Sequence, residues 1–364
     1  MILVDFSAII HQMIFGGITG ANPHKKDGQY VTSEFIKLTE YYMLESLFNI
    51  QTTYSRQYGD VVICLDNTKN GNWRRSYLSH YKASRKIARE KSDINYLEVF
   101  AEIDKLIEVL KKYSPWKVVS AEYAEADDVI LILARKFAPH NPIFIFSADK
   151  DMIQAQRHGP KVVQYSPITK KFLTPETKHN DTMNEWLVEH VVLGDPADEV
   201  PKITDDTVFS KNFIKYLNEK KIQIDELQFD ILSNEEKENI VKDYNVFKKN
   251  TKGVETSTKD IFDDLRFGPA SLKKKIKEFG SLDNWLSSNQ LYFRHYERNK
   301  KLILDEFIPK DIQLDIINNY NSASNQYNEK EFRNFIINER LSNILTMLPQ
   351  NFKKSTEISV DDFI

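Results

Sequence analysis

A single cysteine, Cys64, stands in the 364 residues. That excludes a disulfide framework and any cysteine-rich zinc module, and it fits a reducing compartment. Glycine is scarce at 11 residues, and no glycine-rich dinucleotide fingerprint occurs, which sets a simple Rossmann dehydrogenase aside. No apolar run approaches the roughly 18 residues of a membrane span, so no membrane association is expected. The opening MILVDF has no basic segment before it and meets an acid at Asp5, unlike a secretory signal. The first strand is therefore expected to start without a preceding tail. An excess of one charge is missing too: 50 Lys and Arg face 53 Asp and Glu. A protein that binds nucleic acid with its whole surface is excluded; a local basic patch is not.

What is there is globular. Hydrophobic residues make up 41% and charged residues 28%, enough apolar surface for a core and too much for a disordered chain. The length predicts two or three domains. Short, continuous apolar runs at Ile2–Val4, Val61–Leu65, Val118–Val119, Ile143–Phe146 and Val162–Val163 read as strands covered on both faces. Between them, Phe100, Ile103, Leu106, Ile107 and Leu110 fall on one helical face, as do Val129, Ile130, Leu133 and Phe137. The expected fold is α/β, with a mostly parallel central sheet over residues 1–180. From 181 to 345 the pattern is helical, with helices at Met183–Leu193 and Ala270–Phe279. Residues 204–262 read as a polar, partly helical insert, and 346–364 as a mobile tail.

The carboxylates are placed with a pattern. Asp5 and Asp66 end the first two apolar runs, and Asp149 and Asp151 follow a later one. Glu125, Asp127 and Asp128 open a helix, where the helix dipole alone would favour them. Asp195 and Asp198 follow the helix ending at Leu193. Singly, each is an ordinary cap or turn residue. Together they would crowd the carboxyl-terminal edge of a parallel sheet, where ligands bind, and such a cluster is tolerated mainly when cations neutralise it. Oxygen ligands without His or Cys point to Mg²⁺, with Mn²⁺ able to substitute. The surplus of acids suggests two ions, the arrangement that serves in-line phosphodiester hydrolysis. His11, His24 and His80 read as surface or satisfied histidines, and Cys64 as a core residue.

Beside the acids lies a basic segment. Residues 69–91 hold eight cations, Lys69, Arg74, Arg75, Lys82, Arg85, Lys86, Arg89 and Lys91, against the single acid Glu90. Trp73, Tyr77, His80 and Tyr81 interleave with them. Cations for phosphates and rings for bases make a path for single-stranded nucleic acid; a solvated charged helix would mix its signs.

Seven strings, LVDFSAI, CLDNTKNGNWRR with YKASR, EADD, SADKD, LGDPADEVP, FGPASLKKKIKEFGSL and LDEFIPKDI, run in order along the chain. In that order they resemble the 5′-nuclease family, which includes flap endonucleases and the 5′-nuclease domains of bacterial DNA polymerases. The T-even-type bacteriophage ribonuclease H branch is the most similar. The resemblance implies a PIN-like nuclease core with one metal site at Asp5, Asp66, Glu125, Asp127 and Asp128. It implies a second at Asp149, Asp151, Asp195 and Asp198. A basic helical arch would span about 69–100, with Lys82 on the scissile phosphate, Arg75 as a second phosphate contact and Arg85 beside them. Tyr81 would either stack on the terminal base or pack as a core aromatic. Arg74, Lys86 and Arg89 would bind the nucleic acid.

A helix–turn–helix would grip duplex DNA through Lys202, Gly268, Lys273 and Lys274, with Lys275 and Lys277 beyond them. Here it is interrupted by about 60 residues, and Lys202 stands where glycine is usual. The implied activity is 5′→3′ exonuclease and flap endonuclease cleavage of RNA–DNA hybrid, flap and duplex substrates. Its implied use is removal of RNA primers in phage replication, in the bacterial cytoplasm. The protein is expected to be a monomer. The C-terminal SVDDFI resembles a sliding-clamp peptide, and a single-stranded-DNA-binding protein is a further expected partner. Two rivals remain at this level: a non-catalytic branched-DNA-binding factor, and a haloacid-dehalogenase-type phosphatase, which would need its D-x-D at the first strand.

Overall fold

The computed structural model describes residues 1–10, 25–26, 29–30, 32–91, 95–176, 180–252, 261–263, 265–323 and 327–348. His11, His24 and the tail from 349 onward, with its clamp-like peptide, lie outside them. The chain divides into two compact units. The first holds Met1–Trp73, Ser84–Thr174 and the segment from Ile308; the second holds Arg74–Ala83 and Pro175–Phe307.

The first unit is built on six strands: β1 (Ile2–Asp5), β2 (Val61–Cys64), β3 (Lys117–Val119), β4 (Ile143–Phe146), β5 (Val162–Ser166) and β6 (Lys171–Leu173). Their spatial order is β3-β2-β1-β4-β5-β6. All neighbours run parallel except β5 and β6, which pair antiparallel. The mostly parallel α/β fold expected from the apolar runs is what forms. A separate two-stranded hairpin joins Lys25–Lys26 to Gln29–Tyr30.

Side chains alternate across the sheet, and each face has its own cover. Ile2, Val4, Val61, Ile63 and Phe144 pack against α1 (Thr32–Tyr58) and α3 (Tyr96–Tyr113), with Phe332, Ile336 and Ile344 from α13 (Glu329–Asn338) and α14 (Ser342–Leu345). Leu3, Val62, Cys64, Val119, Ile143 and Ile145 face the other way. They meet Val129, Ile130 and Leu133 of α4 (Ala126–Phe137) and Ile312 and Ile316 of α12 (Lys310–Ser322). This two-sided burial explains why the strand sequences are apolar throughout. Between α1 and α3 in the chain lies α2 (Ala83–Glu90), which buries none of its residues.

The second unit is helical: α5 (Met183–Leu193), α6 (Lys211–Lys220), α7 (Glu226–Ile231), α8 (Asn234–Lys252), α9 (Pro269–Phe279), α10 (Leu282–Ser287) and α11 (Gln290–Ile303). Val192 of α5, Ile203, Leu272 of α9, and Trp285 and Leu286 of α10 share one cluster. The insert has its own core: Phe209, Phe213, Tyr216, Leu217, Phe229, Tyr244 and Ile261. It is helical in part, as expected, but its interior is aromatic, which a polar insert did not lead one to anticipate. No described helix is long and apolar enough to cross a membrane.

Candidate active site

The acids of the first unit converge because parallel strands end on one side. Asp5 is the last residue of β1, Asp66 lies two residues past β2, and Asp149 and Asp151 follow β4. Glu125 caps the N-terminus of α4, the helix after β3. Hydrogen bonds tie these ends together. Asp66 accepts from the Ala126 amide at 2.7 Å and from the Ser7 hydroxyl at 2.7 Å. Asp5 accepts from the Ala8 amide at 2.9 Å and from the Ser147 hydroxyl at 2.7 Å. That same Ser147 oxygen accepts the Asp149 amide at 3.1 Å, and the Asp149 carboxylate accepts the Asp151 amide at 2.8 Å. Four strand and helix ends are thereby fixed to one another at the acidic edge.

The negative field of this edge shows in Cys64. Its thiol is pushed well above the ordinary range, first by burial and then by the charges of Asp5 and Asp127. Asp5 and Glu125 are buried, Asp127 and Asp149 and Asp151 half-buried, and Asp66 exposed. This graded set of oxygen donors suits a hard divalent cation.

Asp128 departs from the expectation. It is fully buried; its Oδ2 accepts the Trp73 indole N–H at 3.1 Å and the Glu125 amide at 2.9 Å, closing a capping box on α4. These contacts make it a residue that shapes the helix start. Trp73 is likewise a buried partner and not an exposed ring for bases.

In the second unit Asp195 and Asp198 sit in the turn after α5. Gly194 makes that turn possible: it has φ +63°, and a Cβ there would lie 2.3 Å from the Val200 carbonyl oxygen. Asp195 and Val200 exchange backbone hydrogen bonds of 2.9 and 2.8 Å. Asp198 accepts the Tyr81 hydroxyl at 2.8 Å and pairs with the Lys82 ammonium at 3.1 Å. Tyr81 is only 3% exposed. Of the two alternatives for it, this burial matches the core aromatic at the base of the basic segment. Arg74, also buried, donates from Nε to the Leu302 carbonyl at 2.8 Å and lies 5.8 Å from the Tyr81 ring centroid. Its guanidinium is thus engaged within the second unit, unlike the exposed cations expected beside it.

The other expected contacts stay on the surface. Arg75, Arg85, Lys86, Arg89, Lys273 and Lys274 are exposed, and Lys202 is half-buried. His80 is exposed, as expected of a surface histidine. Gly268 is the N-cap of α9, with Pro269 at the first helical position. A duplex-gripping helix–turn–helix remains an expectation for α5 and α9.

Three residues that hold the edge had not been singled out: Ser7, Ser147 and Gln164. The readable signal for Gln164 was a polar amide set between Val163 and Tyr165 inside a strand, VVQYS.

Residues 1–186 match the family model for the "5′-3′ exonuclease, N-terminal resolvase-like domain". The chain belongs to this 5′-3′ exonuclease family. Ribonuclease H of Enterobacteria phage T4 is 32% identical over 170 residues, 46% of this chain and 54% of that protein. A 5′-3′ exonuclease of Mycoplasmopsis pulmonis is 27% identical over 128 residues, 34% of this chain and 39% of its own length. The chain thus matches about half or less of the length of these curated relatives. Among solved structures, a bacteriophage T5 protein co-crystallised with metal ions is similar over 95% of this chain and 98% of its own, at 14% identity and a TM-score of 0.48. A T5 5′-exonuclease with divalent zinc bound is similar over the same shares, at 13% identity and a TM-score of 0.45. In this family's terms, the matched stretch contains the whole sheet of the first unit together with α5's first residues.

Proposed function

We propose that this protein is a divalent-metal-dependent 5′→3′ exonuclease and flap endonuclease. It hydrolyses RNA or DNA 5′ ends annealed to a DNA template, and its use is removal of RNA primers in phage replication in the bacterial cytoplasm. The observation that carries this reading is the hydrogen-bonded edge that fixes Asp5, Asp66, Asp149 and Asp151 at the carboxyl ends of parallel strands. A packed domain gains nothing by gathering unneutralised acids there. The residues that would hold Mg²⁺, or Mn²⁺ in its place, are Asp5, Asp66, Glu125, Asp127, Asp149 and Asp151, with Asp195 and Asp198 as the acidic pair of the second unit. Two such ions would activate water and neutralise the leaving oxygen of an in-line displacement.

The protein's own residues have distinct parts. Lys82, at φ +54° and held on Asp198, keeps a cation in a fixed place for a phosphate. Arg75 and Arg85 supply further phosphate contacts, and Lys86 and Arg89 on α2 extend the cationic path. Lys202, Lys273 and Lys274, with the free amides of the α9 N-terminus at Gly268, would hold duplex backbone. RNA–DNA hybrid, flap and duplex DNA are the proposed partners, with the protein acting as a monomer.

The test is cleavage of a 5′-labelled RNA–DNA primer on its template, beside a 5′-flap substrate, in Mg²⁺ and in EDTA. Short 5′ products from the wild type, absent in EDTA and in Asp149→Asn, support the reading. Tight binding with no cleavage in Mg²⁺ or Mn²⁺ would leave the branched-DNA-binding factor as the better description.

A further inference from the structure

Gln164 lies in the middle of β5, in register with Ile145 of β4, and is fully buried. Its neighbours in the strand are Val162, Val163 and Tyr165, so an apolar side chain is what the position would ordinarily take. Instead the Gln164 amide nitrogen donates twice, to the Ser147 carbonyl at 3.0 Å and to the Asp149 carbonyl at 2.6 Å. Its Oε1 is buried with no hydrogen-bond partner among the described residues. A glutamine retained only for packing would satisfy both ends or give way to Leu or Met. Here one end is left unmet, and the other holds the backbone of the turn that carries the acids.

The turn is held from both sides. The Asp149 carbonyl is fixed by Gln164, while its amide is fixed by the Ser147 hydroxyl, which in turn donates to Asp5. The Asp149 carboxylate then takes the Asp151 amide. Rotation of either peptide flanking Asp149 would break one of these bonds.

We propose that Gln164 is a positioning residue: through the Ser147 and Asp149 carbonyls it sets the direction in which Asp149 and Asp151 present oxygen to a divalent cation. This rests on the metal-dependent reading above. Removing a group that orients metal ligands from behind typically costs about 10- to 100-fold in metal affinity.

The test is Gln164→Met, which keeps length and volume and removes both amide N–H donors together with the unmet oxygen. Mn²⁺ is titrated calorimetrically into the protein without nucleic acid, and thermal unfolding is followed in metal-free buffer. The expected result is a melting temperature close to that of the wild type with Mn²⁺ affinity lowered about ten-fold or more. The Mn²⁺ concentration for half-maximal cleavage rises in parallel, and KM for the nucleic acid at saturating Mn²⁺ is unchanged. Should Gln164→Met fold poorly, Gln164→Leu carries the same comparison, since it is uncharged, near in volume and has no N–H to donate. Wild-type Mn²⁺ affinity in a folded variant overturns the inference alone. A wild-type protein that takes up no Mn²⁺ overturns the metal reading, and the inference falls with it.

Discussion

The Trp73 indole donates to Asp128 at 3.1 Å, with Asp128 fully buried and Trp73 nearly so. A ring in a basic segment and an acid at a helix start, both readable as functional, are in fact each other's partner. Trp73→Phe keeps most of the packing and strands one hydrogen bond on a buried carboxylate. It is expected to lower stability by about 1–3 kcal/mol, measured by urea unfolding, and to leave the affinity for single-stranded nucleic acid unchanged. A selective loss of affinity at unchanged stability would return Trp73 to the binding surface.

Asp149→Asn keeps an oxygen for the Asp151 amide but removes a charge from the acidic edge. Cleavage should fall by on the order of a hundred-fold or more, since a bound cation contributes several kcal/mol to phosphoryl transfer. Circular dichroism and melting temperature should be near those of the wild type. Asp128→Asn should behave in the opposite manner, with stability reduced and residual cleavage well above that of Asp149→Asn. Equal loss of cleavage in the two variants would make Asp128 a ligand after all.

The helix α2 carries Arg85, Lys86 and Arg89 and buries nothing. Replacing all three by Ala is therefore expected to change stability by roughly 0.5 kcal/mol or less. Binding to a 5′ single-stranded overhang should weaken. The slope of log K against log salt should become shallower by about 2, at roughly 0.7 for each phosphate no longer neutralised. An unchanged slope in a fluorescence-anisotropy titration would show that α2 does not meet the strand.

Glu40 is a buried acid on α1, and its carboxyl is pushed up to about 7. Burial is the main cause, followed by the charges of Glu339 and Glu102, with Lys37 and Lys105 opposing. Because the folded value lies above the unfolded one, the native state holds the extra proton between about pH 4.5 and 7. Stability contributed by this group therefore falls as pH rises through that window and stays low above it. Glu40→Gln should be about 1–3 kcal/mol more stable than the wild type at pH 8 and close to it at pH 4.5, read from unfolding midpoints. A gain of equal size at both pH values would assign the effect to packing.

The sheet was legible because its strands are covered on both faces, so Ile2–Val4 and Ile143–Phe146 carry no polar break to hide them. β6 was not, since its KFL sequence sits at an edge with two exposed residues. Helix α1 was missed for a different reason: its buried stripe of Met43, Leu44, Leu47 and Phe48 begins with Thr39 and Glu40, both buried as well. The strand-end acids could be placed on one side from topology alone. No spacing in the sequence, however, joins position 73 to 128 or 164 to 149. Those contacts are set by register and helix placement, and with them went the distinction between an acid that faces outward and one that closes a cap. For Tyr81 the residue type fits a base and a core equally well; only the hydroxyl on Asp198 separates the two.

The long interruption between α5 and α9 looks disruptive when counted in residues. Its neck is closed, however: Phe209 and Phe262 form an antiparallel bridge, the Ser210 amide donates to the Ile261 carbonyl at 2.7 Å, and the Asp263 amide to the Val208 carbonyl at 2.9 Å. The chain thus leaves this point at 209 and is back at it at 262, like a bead hung from a ring. With the insert bridged out at its neck, the contour that links the two helices runs through 194–208 and 263–268. The closed neck makes the insert an appended module, which can enlarge, shrink or diverge in sequence without lengthening the path between the two helix ends.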